Sequence, residues 1–153
     1  MTAREWFEHI RYRVDHAKEL EGKLEVLRSR TEPKGQGFEP MGRGGGGDSS
    51  AGILRAAQAS NELDAYKAAT KIEIEKALLV LYGRHGNGGL AKAKDSATAD
   101  SICGYYLIGY SWREVADEIV RPESQDAEQW CKRRAYRGLE YIERKGLTYL
   151  VYR

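Results

Sequence analysis

Proline occurs at only three positions, 33, 40 and 122. An interior proline removes a backbone hydrogen bond and clashes with the preceding turn, so the long proline-free stretches decide where helices can run. Between Ala3 and Ser29 the apolar residues Ile10, Val14, Ala17, Leu20, Leu24 and Leu27 recur at spacings of three and four, with charged residues elsewhere. That period predicts one amphipathic helix, roughly 40 Å long at 1.5 Å per residue. Gly22 interrupts it at a cost of about 1 kcal/mol, which a helix of this length absorbs.

Residues 31–52 hold two prolines and eight glycines, including Gly44 to Gly47, the composition of a flexible linker. Asp48, Ser49 and Ser50 offer N-cap side chains for a second helix from Ala51 to Tyr82. Its inward stripe is Ala56, Ala59, Leu63, Tyr66, Thr70, Ala77 and Leu81. Two long helices joined by such a loop predict an antiparallel hairpin; the same stripes would also suit a homodimer. Gly83–Gly89 is a second breaker, followed by a helix from Asp95 or Thr98 to Ile108 with Ile102, Cys103, Tyr106 and Leu107 inward and Gly109 at its end.

Composition narrows the class without naming a partner. The chain is 41% hydrophobic and 31% charged, as expected for amphipathic helices, and a net charge of +2 implies nothing about what it binds. No run of about 18 apolar residues occurs, so no membrane-spanning helix is expected. The segment Met1–Ile10 is unlike a secretory signal. Cys103 and Cys131 form no CxxC pattern and read as reduced core thiols. A cytoplasmic location is the expectation.

The C-terminal third carries the most specific pattern. Ser111 and Glu114 form a capping box ahead of a short helix, Trp112–Val120, with Trp112, Val115, Ala116 and Ile119 on one face. Pro122 forces a break. Ser124 then caps a last helix from Gln125 towards Lys145, with Asp126 and Glu128 complementing its dipole and Ala127, Cys131, Ala135, Leu139 and Ile142 inward. A short helix, a break and a polar-to-basic second helix predict a helix-turn-helix. In that geometry Gln125, Asp126 and Gln129 would face base edges, and Lys132, Arg133 and Arg137 would neutralise phosphates. Arg113 is a candidate phosphate contact, and Ser124 lies at the entry to the reading helix. Trp112 and Trp130 read as packing residues rather than stacking platforms.

The stretch Tyr105-Tyr106-Leu107-Ile108-Gly109-Tyr110-Ser111-Trp112-Arg113-Glu114-Val115-Ala116 resembles bacteriophage late-gene transcriptional regulators of the ArpU and RinA type. There an apolar helix ends in an aromatic residue and glycine before Ser-Trp-x-Glu-Ile/Val-Ala. It is also similar to region 4 of sigma-70-type factors, and Arg134–Ile142 resembles the end of that recognition helix. The resemblance is specific over Ile102–Ile142. Two features depart from it: Arg121-Pro122-Glu123 lengthens the turn, and the Gly83–Gly89 loop replaces a charged connection. The resemblance implies activation of phage transcription, with double-stranded DNA and RNA polymerase as partners.

Other motifs carry less. Arg84-His85-Gly86 matches the start of the histidine-phosphatase signature, but no histidine follows His85 and helix, not strand, precedes it. Gly42–Gly47 satisfies GxGxxG without a preceding strand. His9 and His16 alone make a weak metal site, and no carboxylate pair is set apart for acid–base work. The sequence therefore predicts an all-α protein without cofactor or catalysis. It would have a helical hairpin over 1–90, a helix-turn-helix domain over 91–147 and an apolar tail over 148–153 that folds back or joins a partner. The alternative is a phage packaging protein like a terminase small subunit, with the helix-turn-helix on an oligomerising hairpin.

Overall fold

The computed structural model describes residues 1–31 and 46–152. It is all-α, with no strand among the described residues. Helix α1 spans Ala3–Thr31 and α2 Gly46–Tyr82; α3 spans Gly89–Ala93, α4 Ser96–Ile102, α5 Trp112–Glu114, α6 Ala127–Lys145 and α7 Leu147–Tyr152. Helices α4 and α5 run on into wider π-helical segments, Cys103–Ile108 and Val115–Val120. Most of the expected linker, residues 32–45, lies outside the described residues. Helix α2 begins at Gly46 rather than Ala51, which places Asp48, Ser49 and Ser50 inside the helix instead of ahead of it.

Helix α1 starts with a capping box that the sequence reading overlooked. Thr2 Oγ1 accepts from Glu5 N at 3.1 Å, and Thr2 N donates to Glu5 Oε2 at 2.7 Å. Arg28 and Arg30 in its last turn complement the helix dipole. The stripe from Ile10 to Leu27 faces inward as expected, and it begins earlier, with Ala3 and Phe7 buried.

Two compact units divide the chain, and the division falls within the long helices, not near residue 90. One unit comprises Met1–Asp15 with Thr70–Arg153; the other is His16–Ala69. Within the first unit a single core joins Phe7 and Ile10 of α1, Ala77, Val80 and Leu81 of α2 and Leu90 of α3. It continues through Ile102, Tyr106 and Leu107 to Leu139 and Ile142 of α6 and Leu150 of α7. A boundary at 90 would leave the inner faces of α4 and α6 without apolar cover, and an amphipathic helix must bury that face. Full burial of each such side chain stabilises the fold by about 1.5–3 kcal/mol. In this unit α1 and α2 run antiparallel, with Trp6 Nε1 donating to Glu73 at 3.1 Å and Arg13 donating to Thr70 Oγ1 at 3.2 Å.

In the second unit, residues 16–31 of α1 pack against residues 46–69 of α2. Leu24 and Leu63 are buried in it, Lys67 pairs with Glu21, and His16 meets Tyr66 edge-to-face at 5.2 Å.

Helix α3 went unforeseen because five residues are too few to show a period. It depends on Gly89, whose φ is +61° and whose position would bring a Cβ within 2.5 Å of the Val80 carbonyl oxygen. A side chain there would clash as well as strain the backbone. The C-terminal tail folds back: after Gly146 the chain forms α7, and Leu150 is fully buried in the main core.

Candidate nucleic-acid interface

The capping box ahead of α5 forms as its sequence predicts. Gly109, at φ 89°, ends the first π-helical segment. Ser111 Oγ accepts from Glu114 N at 3.2 Å while Ser111 N donates to Glu114 Oε1 at 3.3 Å, closing the capping box. Val115 and Ala116 pack with Cys131 of α6 in a small core of their own, which fixes α5 and its continuation against the last helix. Arg121 adopts a left-handed conformation, φ 48°, and ends the element.

The turn that follows corrects one expectation. Ser124 does not cap α6 directly; its Oγ accepts from Asp126 N at 3.2 Å in a local turn. Asp126 holds the N-cap position without a side-chain cap bond. Ser124, Gln125 and Asp126 are all exposed and precede the helix rather than lying on it. Pro122 lengthens the connection, so the helix starts at Ala127, two residues later than its sequence suggests.

On α6 the inward stripe is Cys131, Ala135, Leu139 and Ile142, joined by Gly138; Ala127 is half-buried. Gln129, Arg133 and Arg137 are exposed and four residues apart, so they form one line along the outer face. Lys132 departs from that line. It is half-buried, with Nζ 5.9 Å from the centre of the Tyr136 ring. The Arg4 guanidinium of α1 stands 4.5 Å from the same ring, and Ala3 N donates to Glu143 farther along α6. The start of α1 thus lines one edge of α6. Arg113 is well exposed on α5, 3.8 Å from Asp117.

Positive charge is concentrated in the middle of α6, not at its start. Glu123, Asp126 and Glu128 surround the N-terminus of the helix, whereas Lys132, Arg133, Arg134 and Arg137 follow without an intervening acid. Carboxylates in that position can accept from cytosine amino groups but repel phosphates. An anion is therefore favoured at the middle of the helix and its flanks, not at its N-terminus.

Arg134, which the sequence reading did not select, is held in place by an ion pair to Asp95 and stands 4.3 Å from the centre of the Trp130 ring. Burial opposes ionisation of Asp95, yet bonds from Thr98 N and Oγ1 and the Arg134 charge hold its carboxyl below the usual range. The basic run of the sequence contained this signal; which of its members faces a partner helix did not show.

The aromatic residues serve packing. Trp112 stacks on Tyr105 at 4.1 Å, and Phe7 meets Tyr106 edge-on at 5.8 Å. Arg11 donates to the carbonyl oxygens of Tyr105 and Tyr110, satisfying backbone acceptors at the end of the first π-helical segment. Burial raises the thiol pKa of both Cys103 and Cys131. His85 is exposed in the loop after α2. Among the described residues no group of three or more His, Cys, Asp or Glu side chains could hold a metal ion, and no helix is long and apolar enough to cross a membrane.

No family model matches the chain, and no curated protein or solved structure matches it.

Proposed function

We propose that this protein is a sequence-specific DNA-binding transcription regulator of phage or prophage type that reads the major groove with α6 and acts by binding rather than by catalysis. The observation that carries the reading is the exposed row Gln129, Arg133 and Arg137 on a helix whose opposite face is buried and whose preceding helix is capped and packed against it. The likeness of Ile102–Ile142 to ArpU- and RinA-type regulators and to sigma region 4 supports the same reading. RNA polymerase is then a second partner, and the cytoplasm the site of action. Gln129 and Gln125 supply amide groups suited to adenine, and Arg133 a guanidinium suited to a phosphate.

Selection of bound duplexes from a random pool tests this. A common motif should emerge, and Gln129→Ala should relax it at one base position, a loss of about 1–3 kcal/mol in discrimination. Failure of the wild-type chain to enrich any motif would refute sequence-specific reading.

One observation favours a packaging role instead. Val26, Ile53 and Leu54 of the His16–Ala69 unit are exposed, as oligomerising helices would require. Sedimentation separates the two: a monomer or a homodimer through the long helices fits the regulator, a closed ring of many copies the packaging protein.

A further inference from the structure

We propose that a basin between the start of α4 and the middle of α6, rimmed by Lys94, Arg134 and Arg137, seats a backbone phosphate of the DNA beside the groove that α6 reads. The proposal rests on the DNA-binding reading and adds to it Lys94 and Arg134, which join Arg137 where the start of α4 meets α6. The basin has a volume of about 240 Å³ and is lined by Lys94, Asp95, Thr98, Arg134, Arg137 and Gly138. That is several times the roughly 30 Å³ share of one water, enough for a partly hydrated phosphate.

Three cationic residues and one carboxylate line it, and the carboxylate is committed. Asp95 Oδ1 accepts from Thr98 N and Thr98 Oγ1, and Oδ2 accepts from Arg134. The excess positive charge is therefore left for an incoming anion. Arg134 is pre-positioned by Asp95 and Trp130, with one of its five N–H donors used by the ion pair. A fixed guanidinium loses little side-chain entropy on binding phosphate. The Lys94 ammonium lies 4.8 Å from the centre of the Tyr141 ring, and Arg137 makes no ion pair among the described residues. Buried Thr98 and Gly138 line the basin, so its base is rigid.

Position selects DNA over a small anion. Arg137 belongs both to the basin and to the exposed row of α6, and a strand flanking an occupied groove passes along that edge. On the opposite edge of α6, Arg4 beside Tyr136 would meet the other strand.

The test compares wild type, Lys94→Gln and Lys94→Arg on a selected duplex between 50 and 200 mM salt. Lys94 is exposed, so neither change threatens folding. Lys94→Gln should lower the slope of log K against log salt by about 0.9, one phosphate contact, and weaken binding several-fold at low salt. Lys94→Arg should restore the slope, and the selected motif should be the same in all three. An unchanged slope in Lys94→Gln, with motif selection intact in the wild type, overturns the basin and spares the reading of α6. Absence of DNA binding by the wild type overturns both. Lys94-dependent binding of inorganic phosphate, measured by calorimetry with no change in the DNA slope, would make this a small-anion site and also overturn the proposal.

Discussion

Gly138 offers the sharpest test of how α6 is held. A glycine inside a helix normally costs about 0.5–1 kcal/mol relative to alanine, so Gly138→Ala should stabilise the protein if propensity decides. The structure opposes that. A Cβ at 138 would lie 2.6 Å from Thr98 Cγ2, 2.9 Å from Ile102 Cδ1 and 3.1 Å from Leu90 Cδ2. Thr98 is pinned by its bond to Asp95, and Ile102 and Leu90 are fully buried, so the neighbours have little room to give. Overpacking of this kind costs about 1–3 kcal/mol, which outweighs the propensity gain and predicts a net loss of about 1 kcal/mol. Gly22→Ala is the control: it too lies inside a helix, but nothing stands within 4 Å of its Cβ position, so it should stabilise by about 0.5–1 kcal/mol. The two can be read separately. Trp6, Trp112 and Trp130 all belong to the unit that contains Gly138, so urea titration followed by tryptophan fluorescence reports on that unit. Circular dichroism reports on the helices of both units together, so a transition that it shows and fluorescence does not belongs to the unit that carries Gly22. If Gly138→Ala proves as stabilising as Gly22→Ala, the close approach of α4 and α6 is absent and with it the rigid base of the basic basin.

Four further outcomes are expected. Lys132→Ala combined with Arg133→Ala should flatten the salt dependence of DNA binding by about 0.9 per lost contact. Because Lys132 is half-buried beside Tyr136, most of the change should reappear in Arg133→Ala alone; equal binding by wild type and double variant would take both residues out of the interface. Ser111→Ala should cost about 1 kcal/mol in denaturant titration by opening the capping box. Leu150→Ala should cost about 2–5 kcal/mol, whereas a tail reserved for a partner would leave the monomer's stability unchanged. The depressed pKa of Asp95 means that its ionised form stabilises the fold above the unfolded value near 3.8 and that this contribution is lost as pH falls through the lower folded value. The stability gap between wild type and Asp95→Asn should therefore be largest above about pH 4 and shrink in more acidic solution. A gap independent of pH in urea titrations would mean that the carboxylate charge contributes nothing.

The first turns of α1 complete the C-terminal region. Arg4, Phe7, Ile10 and Arg11 of α1 all touch the C-terminal helices or their shared core, so a fragment beginning near residue 91 would lose the cover of Tyr106 and the ligand of the Tyr105 and Tyr110 carbonyls. Helix α1 is part of the proposed DNA-binding body, and only its later turns belong to the helix-pair unit.

Local signals were enough for much of this. The three-four spacing of Ile10 to Leu27 and of Ala56 to Leu81, the Ser111–Glu114 box and the stop at Pro122 all depend on residues within one or two turns of each other, and such interactions are written in consecutive sequence. What depended on distant residues was not legible. The sequence could not show that α1 covers Tyr106, that Leu90 and Leu150 enter the same core, or that Arg134 turns to Asp95 while Arg133 and Arg137 face outward. Nor could it show that Lys94 meets Arg134 and Arg137 around one basin. Those pairings arise only when packing brings separate helices together, because a helical period fixes which face is apolar but not which partner buries it.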